Sequence, residues 1–147
     1  MPAHLQLPIA RALVSVDAAK AILDISEDHV LQWIESGRIR YAFDLACNAH
    51  HRRTLRILTL SIYDYITGRD TQPPDLAGAV RYVMPGSSPE LTCGWLSRKW
   101  NVSASLIHEL LNKRRIEEVK IENRGKTNDR MLLRSSAVKF LILRRIA

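Results

Sequence analysis

The positive charge of this chain is concentrated in its C-terminal part. The 147 residues carry 22 Lys and Arg against 15 Asp and Glu, a net charge of +7. Residues 91–147 hold 13 of these cations and 5 of the acids, whereas residues 14–66 hold 6 cations and 7 acids. Such a cluster indicates either a surface that contacts a polyanion or a merely solvated surface. The candidate contact residues are Lys113, Arg114, Arg115, Arg124, Lys126 and Arg130.

Residue combinations that carry covalent chemistry are sparse. The sequence has no glycine-rich phosphate loop, and its Ser, His and Asp residues stand in no diagnostic context. His50 and His51 are adjacent, but no further ligand follows at metal-binding spacing. Cys47 and Cys93 stand alone, without CxxC spacing. We therefore expect no enzymatic activity, no metal and no cofactor.

The sequence pattern that surrounds these cations occurs twice along the chain. Residues 14–39 align without a gap with residues 91–116, at a constant offset of 77. Apolar and hydroxyl residue types recur in phase, which predicts two copies of one small domain. We place the first copy at residues 1–68, a linker at 69–90 and the second copy at 91–147. In the first copy the matched residues are Val14, Ser15, Ala19, Leu23, Ile25, Ser26, Val30, Ile34, Arg38 and Ile39. In the second copy they are Leu91, Thr92, Leu96, Trp100, Val102, Ser103, Ile107, Leu111, Arg115 and Ile116.

Each copy is predicted to begin with two short helices joined by a tight turn. Ser15 and Ser26 are suitable N-caps in the first copy, and Thr92 and Ser103 occupy the same places in the second. Gly37 is a natural stop for the second helix of the first copy. The predicted helices are 16–23 and 27–36 in the first copy, and 93–100 and 104–113 in the second.

Each copy is predicted to close with two short strands, which form a wing, and a final helix. Ile62, Tyr65 and Ile66 are expected to point inward from the final helix of the first copy. In the first copy the strands lie within 40–57 around a polar loop, and the helix covers 61–66. In the second copy the strands lie at 119–121 and 131–133 around a turn at 123–126, and the helix runs from 136 toward 145.

The linker is rich in Pro, Gly and Ser, a composition that predicts neither a helix nor a central strand. Its apolar residues 79–84 are expected to lie against a domain surface. A unit of roughly 55 residues is near the lower limit for an independent core. We therefore expect the copies to pack on each other or the chain to form a homodimer.

The three tryptophans are candidates for core packing or for stacking on bases. Trp33 and Trp100 stand at helical core spacing, which favours burial. Trp95 aligns with Ala18, a small residue in the first copy. Trp95 is therefore expected either to be partly exposed or to fill a gap between the copies.

The first copy has a characteristic run of residue types: a hydroxyl residue, a short Ala-rich helix, a turn ending in Ile-Ser, a helix, Gly-Arg-Ile, a wing that ends in Arg-Ile, and an apolar final helix. The first copy carries this run in Ser15, Ala18, Ala19, Ile25, Ser26, Gly37, Arg38, Ile39, Arg56, Ile57, Ile62, Tyr65 and Ile66. The second copy matches this run more loosely, in Thr92, Leu96, Val102, Ser103, Arg115, Ile116, Leu132, Val138, Phe140 and Leu141. The run resembles the winged-helix domains of phage excisionases and of the MerR-like regulators related to them.

This resemblance implies a mainly α fold with small β-hairpin wings, arranged as tandem winged helix-turn-helix domains. The second helix would then enter the major groove of DNA, with the wing on the adjacent minor groove or backbone. Ser105, His108 and Asn112 would lie near base edges, and the cations named above would contact phosphates. In the first copy the corresponding residues are His29, Gln32, Arg38, Arg40, Arg52 and Arg53.

The second helix departs from the family pattern in both copies, because its exposed face lacks arginine. In the first copy this face carries Glu27, Asp28, Gln32 and Glu35, and in the second it carries Ser105 and Glu109. Two alternatives stay open for the first copy. Its wing contacts DNA, or its acidic helix contacts a partner protein.

The charge distribution and the resemblance together imply a bacterial or phage-type protein that binds double-stranded DNA sequence-specifically and bends or bridges it. The resemblance implies a role in recombination directionality or in transcriptional regulation, with a recombinase or the transcription machinery as partner. The alternative is an adaptor whose winged helices bind protein. No apolar run reaches the roughly 18 residues of a membrane span, and no signal peptide is evident, so we expect a cytoplasmic location without membrane contact.

Overall fold

The computed structural model describes residues 11–47, 54–119 and 130–146. These ranges form a mixed α/β structure with seven helices and two three-stranded antiparallel sheets. The helices are α1 (Val16–Leu23), α2 (Glu27–Glu35), α3 (Thr59–Thr67), α4 (Leu76–Val83), α5 (Cys93–Trp100), α6 (Ala104–Asn112) and α7 (Arg134–Leu143). The strands are β1 (Leu13–Ser15), β2 (Ala42–Asp44), β3 (Leu55–Leu58), β4 (Glu90–Thr92), β5 (Glu118–Val119) and β6 (Met131–Leu133). Within the described ranges, no helix is long and apolar enough to cross a membrane.

The two copies have the same order of elements: a strand, two helices, two strands and a helix. The strand order is β1-β3-β2 in the first sheet and β4-β6-β5 in the second. Leu13 pairs with Leu58 in the first sheet, and Glu90 pairs with Leu133 in the second. Equivalent residues of the two copies are thus 77 positions apart at the first strand and 75 at the third. The segment between these strands is two residues shorter in the second copy. The first strand of each sheet was not predicted, since three residues are too few to show alternation.

Side-chain caps define the start of the paired helices, as the sequence predicted. In each case the hydroxyl accepts a hydrogen bond from the backbone N–H three residues later, which satisfies a donor that the first turn leaves free. The four oxygen–nitrogen distances are 3.1 Å at Ser15, 3.2 Å at Ser26, 3.0 Å at Thr92 and 3.1 Å at Ser103. The turns are also equivalent, because Asp24 and Asn101 both end the first helix with a left-handed backbone, at φ 53° and 55°.

Alternate residues of the first sheet pack on two different cores. Val14, Ala42 and Ile57 face a core formed with α1, α2 and α3. Their neighbours Leu13, Phe43 and Leu58 belong to a second core, which also contains the buried residues of α5, α6 and α7. Because successive strand residues point to opposite faces, the first sheet lies between its own helices and the second copy. The expectation that the copies pack on each other is confirmed.

Residues 69–90 contain a helix, so the prediction that this segment holds none was wrong. The Asp75 carboxylate accepts a hydrogen bond of 2.7 Å from the Gly78 N–H and caps α4. The prolines and Gly86 lie outside the helix, whereas Ala79 and Val83 are fully buried in the core that the copies share. Capping and burial outweigh the composition of the flanking residues. The expectation that the apolar stretch lies against a domain surface is confirmed.

Polar contacts at the α5–α6 turn also join the copies. The Arg56 side chain donates from Nε to the Asn101 carbonyl at 2.8 Å, and Asn101 donates from Nδ2 to the Leu13 carbonyl at 3.3 Å. Arg11 donates to the Asn101 side-chain oxygen. Burial at this contact lowers the pKa of Arg56 from its ordinary value.

The C-terminal residues add to the edge of the first sheet. The Asp44 N–H donates to the Arg144 carbonyl at 2.9 Å, and the Ile146 N–H donates to the Ala42 carbonyl at 2.9 Å. Phe43 and Arg145 form the antiparallel bridge between these two bonds. The second copy therefore forms hydrogen bonds with the first at two places, the α5–α6 turn and the edge strand β2. The two copies also share one hydrophobic core.

Candidate nucleic-acid interface

Helix α6 presents a polar face to solvent. Ile107, Leu110 and Leu111 are buried in the core. On the other side Ser105 and Asn112 are exposed, and His108 is half-buried. Residues three and four positions apart lie on the same side of a helix, so the structure brings the three predicted base-contacting residues to one face.

A cluster of exposed cations follows the end of this helix at Lys113, Arg114 and Arg115. The Lys113 ammonium lies 3.3 Å from a carboxylate oxygen of Glu109, and both side chains are about half exposed. Within the described ranges, Arg114 and Arg115 make no side-chain hydrogen bond or ion pair. Their guanidinium groups are therefore available to an external anion.

Arg114 has a left-handed backbone, with φ 56°. The aligned position in the first copy is Gly37, with φ 83°. An L-residue pays roughly 1–2 kcal/mol for this conformation, whereas glycine adopts it freely. The second copy thus carries an exposed cation where a glycine would be more stable.

We expect the exchange Arg114→Gly to raise the free energy of unfolding by about 1 kcal/mol, because it removes this backbone strain. The matched variant is Gly37→Ala, which introduces the strain in the first copy; a Cβ at Gly37 meets no atom within 4 Å, so packing does not interfere. Gly37→Ala should lower the free energy of unfolding by a similar amount. Urea unfolding of both variants measures the two changes. A loss of stability in Arg114→Gly would show that the arginine side chain stabilises the fold.

Arg130 is held by other side chains of the second copy. Its guanidinium lies 2.7 Å from Oε1 of Glu118 through Nη2 and 3.1 Å from both carboxylate oxygens through Nε. Its Nη1 lies 3.3 Å from Nδ1 of His108. Hydrogen bonding to Glu118 raises the pKa of Arg130. The side chain predicted to contact phosphate therefore joins the β5–β6 hairpin to α6.

In the first copy, exposed carboxylates lie beside the predicted contact residues of α2. His29 and Gln32 are exposed on α2, and so are Asp28 and Glu35. Arg38 and Arg40 follow the helix and are exposed as well. These carboxylates would repel a phosphate backbone, so α2 is less suited than α6 to contact a polyanion.

Two aromatic side chains of the first copy differ from expectation. Tyr65 is 53 % exposed, so the prediction that it points inward was wrong. Its ring lies 4.5 Å from that of Trp33, which is itself only half-buried, with the Arg38 guanidinium 5.4 Å from the Trp33 ring centre. The three side chains form a surface cluster at the ends of α2 and α3. Trp100 is fully buried as predicted, and Trp95 is half-buried against the shared core.

A groove of about 400 Å³ lies where the copies meet. It is lined by Thr54 and Arg56 from the first sheet and by Ser103, Ser105 and Leu106 at the start of α6. The first copy is thus adjacent to the candidate DNA-contacting helix. The predicted contacts Arg52, Arg53, Arg124 and Lys126 lie outside the described residues.

Comparison with known proteins adds no family. No family model, curated protein or solved structure matched the chain. In the part of the chain that the structure describes, no group of three or more His, Cys, Asp or Glu side chains is placed to hold a metal ion.

Sequence reasoning missed two residues of this region, Glu118 and Asn101. Glu118 becomes important only through the register of the β5–β6 hairpin, which brings it to Arg130. Asn101 lies between the two predicted helices of the second copy, but its contacts with the first copy depend on tertiary packing. The one signal for Glu118 in the sequence was that it and Arg130, which carry opposite charges, each precede a predicted strand by one residue.

Proposed function

We propose that this protein binds double-stranded DNA through two winged helix-turn-helix units, and that α6 of the second unit makes the main contact. The observation that supports this most is the combination at α6 of a polar face with the exposed cluster Lys113, Arg114 and Arg115. The strained backbone at Arg114 adds weight, because strain that costs stability is often retained for function.

The dimensions of α6 suit a major groove. A helix with its side chains is about 10–12 Å across, and the major groove of B-DNA is about 12 Å wide. Ser105, His108 and Asn112 offer hydrogen-bond donors and acceptors to base edges. Cations at the end of the helix would reach phosphates at the border of the groove, where they add affinity and fix the orientation.

The contacts between the copies favour a single rigid DNA-binding unit over two units joined by a flexible linker. The shared core and the Arg56–Asn101 contact hold the second unit against the first sheet. A protein of this kind recognises a site in which the two contacted segments have a fixed separation. We accordingly expect bending or bridging of DNA to follow from the fixed angle between the units.

The first unit has a second candidate role, as a protein-binding surface. The exposed carboxylates Asp28 and Glu35 on α2 favour a basic protein partner over DNA. A DNA-bound second unit would then recruit that partner, which the resemblance suggests is a recombinase or the transcription machinery. Recombination directionality and transcriptional regulation are both served by this arrangement.

Selection of bound duplexes from a random pool tests the proposal. We expect enrichment of a defined site, and fluorescence anisotropy on that site should give a plot of log K against log salt concentration with a slope of about −3 or steeper. At least three phosphate contacts are implied, each contributing roughly −0.9 to the slope. Absence of enrichment together with absence of salt-dependent binding would overturn the DNA assignment and favour the adaptor.

A further inference from the structure

A chain of three polar side chains connects the β5–β6 hairpin to α6. Glu118 accepts hydrogen bonds from Nε and Nη2 of Arg130, and Nη1 of Arg130 lies 3.3 Å from Nδ1 of His108. The Arg130 and Glu118 side chains are 22 % and 25 % exposed, so solvent screens this pair less than a fully exposed one. The carboxylate therefore holds the guanidinium in one orientation against the histidine.

The contact between Arg130 and His108 determines which histidine nitrogen carries the proton. A guanidinium has five N–H donors, no acceptor, and a charge that it keeps at every physiological pH. Nδ1 of His108 must therefore be the acceptor. In the neutral ring, the single proton therefore lies on Nε2. A proton on Nδ1 would place two donors against each other.

We propose that Glu118 and Arg130 hold His108 as the Nε2–H tautomer, and that this N–H donates to a guanine in the major groove. The inference rests on the proposed DNA binding. Guanine fits best because its major-groove edge presents two acceptors, N7 and O6, whereas adenine places a donor beside its acceptor. His108 is the specificity-determining residue. Glu118 and Arg130 are positioning residues, so Arg130 does not serve as the phosphate contact that the sequence suggested.

Nitrogen NMR of the full-length free chain tests the tautomer without DNA. In the pH range in which its ring is neutral, we expect His108 to be a single Nε2–H tautomer. The variant Arg130→Met keeps an unbranched side chain but removes the donors, and His108 should then become a mixture of tautomers. His29 is the control, because within the described residues its ring has no hydrogen-bond partner. A mixture at His108 in the unmodified protein, or no change in Arg130→Met, overturns the tautomer assignment.

Binding measurements test the base contact separately. On the selected site, His108→Ala should reduce the preference for guanine at one position by about 5–10-fold, and Arg130→Met should relax the same position. Lys113→Ala should instead weaken binding to all sequences alike. If DNA binds but neither variant relaxes a guanine position, the base contact is wrong although DNA binding stands. If no duplex binds at all, the proposed function and the base contact both fail, and the NMR result still decides the tautomer.

Discussion

A triple variant in which alanine replaces Lys113, Arg114 and Arg115 is expected to bind duplex DNA on the order of 100-fold more weakly at about 0.1 M salt. Each phosphate contact releases about 0.9 of a counterion, which is worth roughly eightfold in affinity at that salt concentration. Lys113 contributes less than the two arginines, because Glu109 already pairs with it. The slope of log K against log salt concentration should become shallower by about 2–3.

A matched control separates local contact from overall charge. Three exposed cations outside α6 serve for comparison. Arg69 follows the end of α3, Arg81 lies on α4 and Lys139 lies on α7. Their replacement by alanine removes the same number of charges and should change affinity by less than about threefold, since distant exposed charges are screened by salt. Fluorescence anisotropy on the selected site measures both triple variants. Equal losses in the two variants would mean that the α6 end has no special role.

The local features of the fold were readable from the sequence. Hydroxyl caps such as Ser15 and Thr92 act within three residues, so their effect is encoded locally and the predicted starts of α1, α2, α5 and α6 were correct. The helices α3 and α7 have no side-chain cap, and they begin two residues earlier than predicted. The phase of the repeat also carried over, because equivalent core positions need equivalent residue types. In contrast, α4 was missed because its stability comes from burial of Ala79 and Val83 in a core formed by distant segments.

The sequence allowed the residues of the candidate interface to be predicted, but not the contacts that their side chains make. Helical spacing alone placed Ser105, His108 and Asn112 on one face. The pairing of Arg130 with Glu118 depends on hairpin register, and the sequence showed only that both residues lie near the strands. The cation at Arg114 was read as charge alone, because a left-handed backbone at a non-glycine residue is not visible in the sequence.

Trp100→Ala is expected to lower the free energy of unfolding by about 3–5 kcal/mol, the largest effect of any substitution considered. The side chain is completely buried, and its ring stacks on Phe140 with 5.8 Å between ring centres. Alanine leaves a cavity where the indole was, and a closely packed core closes such a cavity only in part. Urea unfolding followed by circular dichroism measures the change.

Trp100→Phe is the control for this prediction, because it keeps an aromatic ring against Phe140. Among the described residues, the Nε1–H of Trp100 is buried without a hydrogen-bond partner. A buried donor without a partner costs roughly 1–3 kcal/mol, so its removal offsets part of the lost packing. We therefore expect Trp100→Phe to cost less than about half of what Trp100→Ala costs. Equal costs for the two variants would contradict burial of the ring as the source of stability.

The effect of Trp100→Ala should extend to the first copy. Trp100 lies in the same core as Leu13, Phe43 and Leu58 of the first sheet. Residues in one packed core unfold together when no separate core can hold either part. Hydrogen exchange should therefore show reduced protection in β1 and β3 as well as in α5 and α7. If β1 and β3 keep their protection, the first copy is stable through Val14, Ile57 and its own helices alone, and the two units are not energetically coupled.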